Sequence, residues 1–424
     1  MDVYQYKKVL VISNVPITPY SAQGASRGSW FKTWDKDKLA LMTFCEADEN
    51  DGFCNHYFTV TRNEKAFIRF FSRKASSAIS SQNVNTEKND QAHTSKRSRL
   101  KSNIKYYLQS ITRPRYSKSL SDFLDAFEPD AIFSAVADAY GARLTQKISK
   151  KRNIPYIIQQ EDNWLTNDLD HSPISKATHK NRVRALKKSL NDAAKRYVIC
   201  PNMKTHFEAE FNMDFECLFC AEDPNRFLLP ETHDAAVKTQ FLYIGNSKPD
   251  RSGGFVKIAQ AIKNANIINP EFIIYSTNAD KNDVEALNKF GFVKFEDVPH
   301  HDDVAKKIAN AHVLILCESF DKRVVEYTKL ALSSKVQIYM MAKIPILVFA
   351  PKQTGVMDYA LAENFAMTVQ NDDMDTLTKA VSEITNDSDL RKDYVTRAIN
   401  VADKNHHALI VRKDLCDVIN AMTK

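Results

Sequence analysis

Glycine is scarce in this chain: nine residues in 424, about 2% where soluble proteins average near 7%. A residue used so sparingly marks places where backbone must come close to something or take a conformation closed to other residues. Gly24, Gly28, Gly141, Gly245, Gly253, Gly254 and Gly355 each follow a predicted strand; Gly52 and Gly291 read as plain turns. The seven cysteines are odd in number and scattered, which argues against a disulfide framework. Cys217 and Cys220 form a Cys-x-x-Cys, but inside a predicted strand that spacing points the two side chains to opposite faces. With no second pair to complete a zinc site, they are expected to be buried free thiols. No run approaches the roughly 18 apolar residues a membrane span needs. The opening MDVYQYKKVLVIS has no long apolar stretch and no small-residue cleavage site, so no signal peptide is read there and a cytoplasmic protein is expected.

What is present is enough for more than one core. An apolar fraction of 43% fits a globular protein, and the length predicts two or three domains. Charge is unevenly spread. Residues 65–118 hold seven Lys and six Arg against Glu87 and Asp90, a net +11 in a chain whose total is +7. Phe67, Ile68, Phe70 and Phe71, then Ile104, Tyr106, Tyr107 and Leu108, are interleaved with those cations. Residues 75–94 are rich in Ser, Asn and Gln and read as a flexible loop. Two basic amphipathic helices around such a loop suit an anionic membrane surface, with nucleic acid as the rival for the charge.

The rest alternates between short apolar runs and helical patterns, the mark of parallel α/β units. Predicted strands fall at 7–13, 39–45, 57–60, 130–134, 154–158, 196–200 and 215–219. Prolines and a polar run to residue 238 mark a linker, and the alternation restarts at 239–244. It continues through strands at 271–275, 293–295, 313–316, 344–349 and 365–369, ending in a helical tail from 375. Strand 313–316 is followed, after a polar stretch, by Ser333, Ser334 and Lys335 at the start of a helix of about two turns. Serine there is a favoured N-cap, and a helix N-terminus with a lysine beside it is a natural phosphate site. His300, His301, His406 and His407 read as capping or surface residues.

The segment SSKVQIYMMAKIPIL resembles the Ser-Lys-x-x-Glu-Tyr-x-Ala-x-Gly-x-Pro-Ile-Leu stretch of the group-1 family of GT-B glycosyltransferases, which lines the nucleotide-sugar pocket. Two positions depart: the family's ribose-binding carboxylate is Ile338, and its glycine is Lys343. Further matches follow in order along the chain. The loop NVPITPYSAQGASRGSWF, with Gly24, Arg27 and Gly28, is similar to the family's first loop. Asp162 and Trp164, beside Glu161, resemble its Asp-x-Trp strand end; Asp223 and Phe227 resemble its interdomain loop. GNSKPDRSGGF resembles the Gly-Arg…Lys-Gly loop whose cations meet the donor diphosphate.

The resemblance implies a GT-B protein: two Rossmann-like doubly wound domains facing across a cleft. These are an acceptor domain over 1–228, a nucleotide-sugar domain over 229–400, and a last helix, 401–424, returning to the first domain. It implies transfer of a sugar from a nucleotide-diphosphate donor to a glycan or lipid-linked acceptor, as in surface polysaccharide synthesis, with retention of configuration. No metal and no separate cofactor are expected. Lys248, Arg251 and Lys335 would stabilise the leaving diphosphate together with the Ser334 turn; Glu326 or Glu318 would bind sugar hydroxyls, and Asp162 would orient the acceptor. Gly245, Thr354 and Gly355, with Gly24 on the other domain, would line the donor pocket. Expected partners are the nucleotide sugar, the acceptor and an anionic membrane through 65–118, with no nucleic acid. Two alternatives stay open: a nucleotide-sugar 2-epimerase, and a non-catalytic scaffold, which Ile338 favours.

Overall fold

The computed structural model describes residues 5–18, 22–45, 52–66, 96–165, 170, 172–228, 238–248, 250–276, 280–300 and 303–423. Phe67, Ile68, Phe70, Phe71, the Ser/Asn/Gln-rich stretch, His301 and most of the linker after Leu228 lie outside them. The chain divides into two compact units: residues 1–199, 204–218 and 412–424, and residues 200–203 and 219–411.

The first unit holds a seven-stranded parallel sheet in the order β3-β2-β1-β4-β5-β6-β7. Its strands are β1 Val9–Ser13, β2 Leu39–Thr43, β3 His56–Thr59, β4 Ala131–Ala135, β5 Tyr156–Gln160, β6 Lys195–Val198 and β7 Glu216–Cys217. Every residue of β1, β2, β4 and β5 is buried, as expected of parallel strands covered on both faces. The helices are α1 Ala22–Phe31, α2 Lys96–Ile111, α3 Lys118–Phe127, α4 Ala139–Arg152, α5 Pro173–Asp192 and α6 Pro201–Phe211. Helix α5 starts at Pro173. The Ser172 hydroxyl accepts from Ser175 N–H, and Pro173 sits where its missing N–H costs nothing.

The second unit holds a six-stranded parallel sheet ordered β10-β9-β8-β11-β12-β13. In chain order its elements are β8 Thr239–Ile244, α7 Ser252–Asn264, β9 Pro270–Tyr275, α8 Lys281–Asn288, β10 Val293–Glu296, α9 Val304–Ile308, β11 Val313–Cys317, α10 Lys322–Thr328, α11 Val336–Met341, β12 Ile346–Phe349, α12 Gly355–Glu363, β13 Met367–Val369, α13 Met374–Asn386 and α14 Ser388–Asn405. The last helix, α15 Ala408–Met422, begins in this unit and ends in the first. Leu242, Leu314, Leu316, Ile346 and Val348 face one apolar layer, with Tyr339 and Met340 from α11; Phe241, Tyr243, Ile315 and Phe349 face the other, with Phe255 and Ile258 from α7.

Several expectations are corrected. Gly24 and Gly28 lie within α1 rather than in a loop, and an ideal Cβ at Gly28 would touch Ile17 at 3.4 Å. The strand expected through Cys220 stops at Cys217; both thiols are free, with Cys220 buried and Cys217 half-buried. Of the two basic helices expected around the loop in 65–118, α2 is present; the segment of the other, with Phe67, Ile68, Phe70 and Phe71, lies outside the described residues. His406 is not at the surface: it is fully buried between α14 and α15. Its Nδ1 donates to the Cys220 carbonyl at 3.0 Å, leaving Nε2 to accept from the Tyr359 hydroxyl at 3.2 Å. Burial brings its pKa down to about 4, so it is a neutral cross-tie between residues 220 and 406.

Candidate functional site

In an open parallel sheet, ligands bind beyond the carboxyl ends of strands where the strand order reverses. In the second unit that point lies between β8 and β11. Strand β8 runs into Gly245, whose φ of +137° is strained for any side chain. An ideal Cβ there would also lie 3.1 Å from Lys335 Nζ and 3.2 Å from its Cδ. Lysine therefore lies directly over bare backbone. Four residues on, Tyr339 accepts a hydrogen bond from Ile244 N–H at 2.9 Å. That bond pins α11 to the end of β8 and sets where Lys335 falls.

The loop after Gly245 wraps the Arg251 guanidinium. Asn246 Oδ1 accepts from Lys248 N–H at 2.9 Å, and the carbonyls of Asn246 and Lys248 accept from Arg251 Nη1. Arg251 reaches across to Glu318, just past β11, with Nε–Oε2 and Nη2–Oε1 both 3.0 Å. This planar, two-bond pair has side chains only 13% and 7% exposed. Gly254, at the start of α7, makes the close approach possible: a Cβ there would sit 2.4 Å from Cys317 Sγ.

Glu318 is thus engaged by Arg251. The Lys335 ammonium has no hydrogen-bonding or ion-pair partner among the described residues; besides the Gly245 backbone it faces the Tyr243 ring, with the centroid 5.1 Å away. Burial, then repulsion from Arg251, bring its pKa down to about 8, with Glu318 pulling the other way. The corner therefore holds one satisfied charge pair and one surplus cation.

Not every expected residue joins it. Lys248 is half-exposed on the same loop, and among the described residues its ammonium makes no ion pair. Ser334 is not the N-cap of α11; Lys335 occupies that position without a side-chain cap, and Ser333 Oγ accepts its N–H at 3.4 Å. Thr354 is fully buried and its hydroxyl donates to the Pro351 carbonyl at 2.8 Å. Gly355 is needed for packing, since a Cβ would meet the Ala331 carbonyl oxygen at 2.4 Å. Glu326 is exposed on α10 and ion-paired to Lys329 at 2.7 Å rather than to Arg251 or Lys335. Ile338 is half-buried against the apolar layer of α11 and β12. Lys343, standing for the family's glycine, adopts the left-handed φ of +59° that glycine favours.

The first unit has its own switch point, between β1 and β4. There the Asn14 carboxamide bridges Asp138 and the Ala137 N–H. Arg27, on α1, is 2% exposed and bonded to Ser13 Oγ at 2.6 Å. It pairs with Glu161 just past β5, with Nη2–Oε2 at 2.9 Å and Nε–Oε1 at 3.2 Å. Beside it, Asp162 accepts from Gln23 Nε2 at 3.1 Å. Burial raises the pKa values of both carboxyls; Arg27 opposes this for Glu161, and Gln23 with Arg27 for Asp162. Gln23, Asn14 and Asp138 were not singled out from sequence; only their nearness to strand ends hinted at them. Tyr339 carried a clearer sign, standing one helical turn after Lys335.

Comparison with known proteins fits this arrangement. No family model matches the sequence, and no curated protein does. Among solved structures, sucrose-phosphate synthase from Thermosynechococcus elongatus superposes with a TM-score of 0.62 at 11% identity, covering 98% of this chain and 99% of that one. Anabaena HepE in complex with UDP and glucose gives 0.63 at 10% identity, over 98% and 100%. A glycosyltransferase from Rickettsia africae gives 0.61 at 11% identity, over 99% and 100%. This chain has the GT-B fold. Within that fold, the corner of Gly245, Arg251, Glu318 and Lys335 lies at the switch point of the second Rossmann-like unit.

Proposed function

We propose that this chain is a glycosyltransferase that takes a sugar from a nucleotide-diphosphate donor and passes it to a hydroxyl of a glycan or lipid-linked acceptor. The observation that carries the reading is the surplus charge of Lys335, beside Arg251 and over Gly245 at a switch point. A diphosphate supplies the anion that corner wants. UDP is the first nucleotide to try, because Anabaena HepE is described in complex with it.

In the reaction, the bond from the anomeric carbon to the phosphate oxygen breaks, and its electron pair leaves with the nucleoside diphosphate. The acceptor oxygen bonds to that carbon and gives up its proton. Arg251 and Lys335 meet the charge growing on the leaving group, held in place before the reaction begins. Lys248 and the Ser334 turn complete the phosphate end, and Gly245 lets it approach the backbone. Thr354 and Gly355 support the turn from below. Glu318 fixes Arg251 and turns its remaining lone pairs to the sugar. Asp162 orients the acceptor hydroxyl, its carboxyl raised by burial toward the range where it accepts a proton readily. Retention of configuration, independence of divalent metal and work on a lipid-borne polysaccharide at the cytoplasmic face of the membrane belong to this reading.

Ile338, apolar where the resembling family has a carboxylate, favours a second reading: a scaffold that binds without turnover. Calorimetry with UDP, GDP, CMP and dTDP decides first. Binding of one of them, weakened about tenfold or more in Lys335→Gln, is the expected result. No binding at millimolar nucleotide would leave only the scaffold. Inversion of the donor sugar at C2 without any acceptor would make the protein an epimerase instead.

A further inference from the structure

We infer that the face formed by α2 and α5 is a docking surface for an anionic phospholipid bilayer. This face belongs to the first unit and the Lys335 corner to the second, and the inference stands whether or not the protein transfers sugar.

Helix α2 turns an apolar ridge to solvent. Leu100, Ile104 and Leu108 are 51%, 43% and 41% exposed, and their spacing of four stacks them along one side. Exposed aliphatics aligned in this way are costly to keep in water and mark an interaction surface. The ridge is not a packing face left unfinished, because a neighbouring flank of α2 is already bound to the rest of the unit. There Asn103 Nδ2 donates to Asp170 at 3.0 Å and to Ser172 Oγ at 3.2 Å, and Asn181 Nδ2 donates to Ser110 Oγ at 3.2 Å. Between the helices runs an apolar groove walled by Ile104 and Tyr107 on one side and Pro173, Ile174 and Ala177 on the other.

Charge names the occupant. Helix α2 carries five Lys or Arg and no carboxylate; α5 carries six against Asp192 alone, which is ion-paired to Lys150 at 2.7 Å. Lys101 and Lys105 follow ridge residues directly and are exposed, as are Lys176, Lys180 and Arg184 on α5. Aliphatic residues flanked by lysines match a layer whose headgroups are anionic and whose interior is acyl chain. Nucleic acid would satisfy the cations but leave three aliphatics in water. Each cation near such a surface is worth about 1 kcal/mol, roughly a fivefold gain in partition.

Flotation with vesicles tests this. The full-length chain should float with mixed phosphatidylcholine–phosphatidylglycerol vesicles and stay behind with phosphatidylcholine alone. Ile104→Asp with Leu108→Asp, and separately Lys101→Glu with Lys105→Glu, should each lower the partition about tenfold or more. Thermal melting should stay unchanged, since all four side chains are exposed. Equal flotation with both lipids, or parental binding by either double variant, overturns the proposal. So does loss of binding only in Phe70→Asp with Phe71→Asp, which would move the contact to that segment. Two further results overturn it: a short RNA that binds while anionic vesicles do not, or a dimer that the Asp variants split. UDP calorimetry on the same variants keeps the two proposals separate, because affinity there should not change.

Discussion

The two sheets meet their ligand-facing ends with the same device and opposite remainders. In the first unit, Arg27 from the helix after β1 grips Glu161 beyond β5; in the second, Arg251 from the loop after β8 grips Glu318 beyond β11. Each pair is two-bonded and largely withdrawn from water. What differs is the charge left over: Asp162 in one, Lys335 in the other. Burial penalises whichever charge remains, so the carboxyl is raised and the ammonium lowered. In each corner the pair fixes geometry, and the leftover charge has no ion-pair partner among the described residues. A surplus cation suits a diphosphate, and a surplus carboxyl suits a hydroxyl and its proton.

Breaking the shared device should have the largest effect. Arg251→Met leaves Glu318 buried without its partner and should cost about 3–5 kcal/mol in chemical denaturation. Arg27→Met should cost about the same through Glu161. If only one of the two is destabilising, the pairs are not equivalent and the comparison fails. The surplus charges should behave differently. Lys335→Gln removes an uncompensated cation, so stability should hold or rise while transfer falls by about 100- to 1,000-fold, measured as kcat with donor saturating. Asp162→Asn should lower transfer by about 100-fold and leave UDP affinity within about twofold. A loss of UDP binding in Asp162→Asn would mean that the two corners do not divide the work.

A pH series sharpens the same contrast with a smaller effect. Below pH 8 Lys335 is charged and UDP affinity should be flat. As pH rises through about 8 the ammonium deprotonates and affinity should fall, by up to tenfold per unit until the complex itself titrates. Binding near pH 8.5, an arbitrary point roughly half a unit above that value, should take up a proton, seen as a dependence of binding heat on buffer. For the free protein the sign reverses. The unfolded lysine holds its proton to about 10.4, so stability should rise between about 8 and that value. An affinity flat to pH 10 would show that some other cation carries the phosphate.

Most of the frame was legible because buried parallel strands are written as short apolar runs, and β8 falls at the predicted residues. Helices α3, α6, α10 and α12 were not singled out; their cues were short or mixed with strand-end polar residues. The residues of the corner were legible in part. Arg251 and Lys335 stood out as cations beside strand ends, but that Arg251 would be held by Glu318, freeing Lys335 to be the surplus charge, depends on a contact across 67 positions. Gly24 misled because a glycine near a strand end can also serve a helix that packs closely. His406 misled because a histidine pair near a helix end says nothing of the Cys220 carbonyl that accepts from one of them. Lys343 shows the reverse: a departure in sequence that still takes the left-handed backbone conformation glycine favours.

The smallest expected effect belongs to Glu326, and it tests whether that carboxylate takes part in donor binding at all. Its side chain is 72% exposed and its one ion pair, to Lys329, is of the surface kind, worth about 0–1 kcal/mol. Glu326→Gln should therefore leave stability within about 0.5 kcal/mol and UDP affinity within about twofold. Substituting Ile338→Glu in the same background would restore the acidic residue of the resembling family on α11. If that change tightens UDP but not dTDP, position 338 faces the ribose 2′-hydroxyl and this chain binds nucleotide without that grip. If instead Glu326→Gln alone weakens UDP tenfold, α10 moves its carboxylate to the nucleotide on binding, and the surplus charge of Lys335 would not by itself account for UDP affinity.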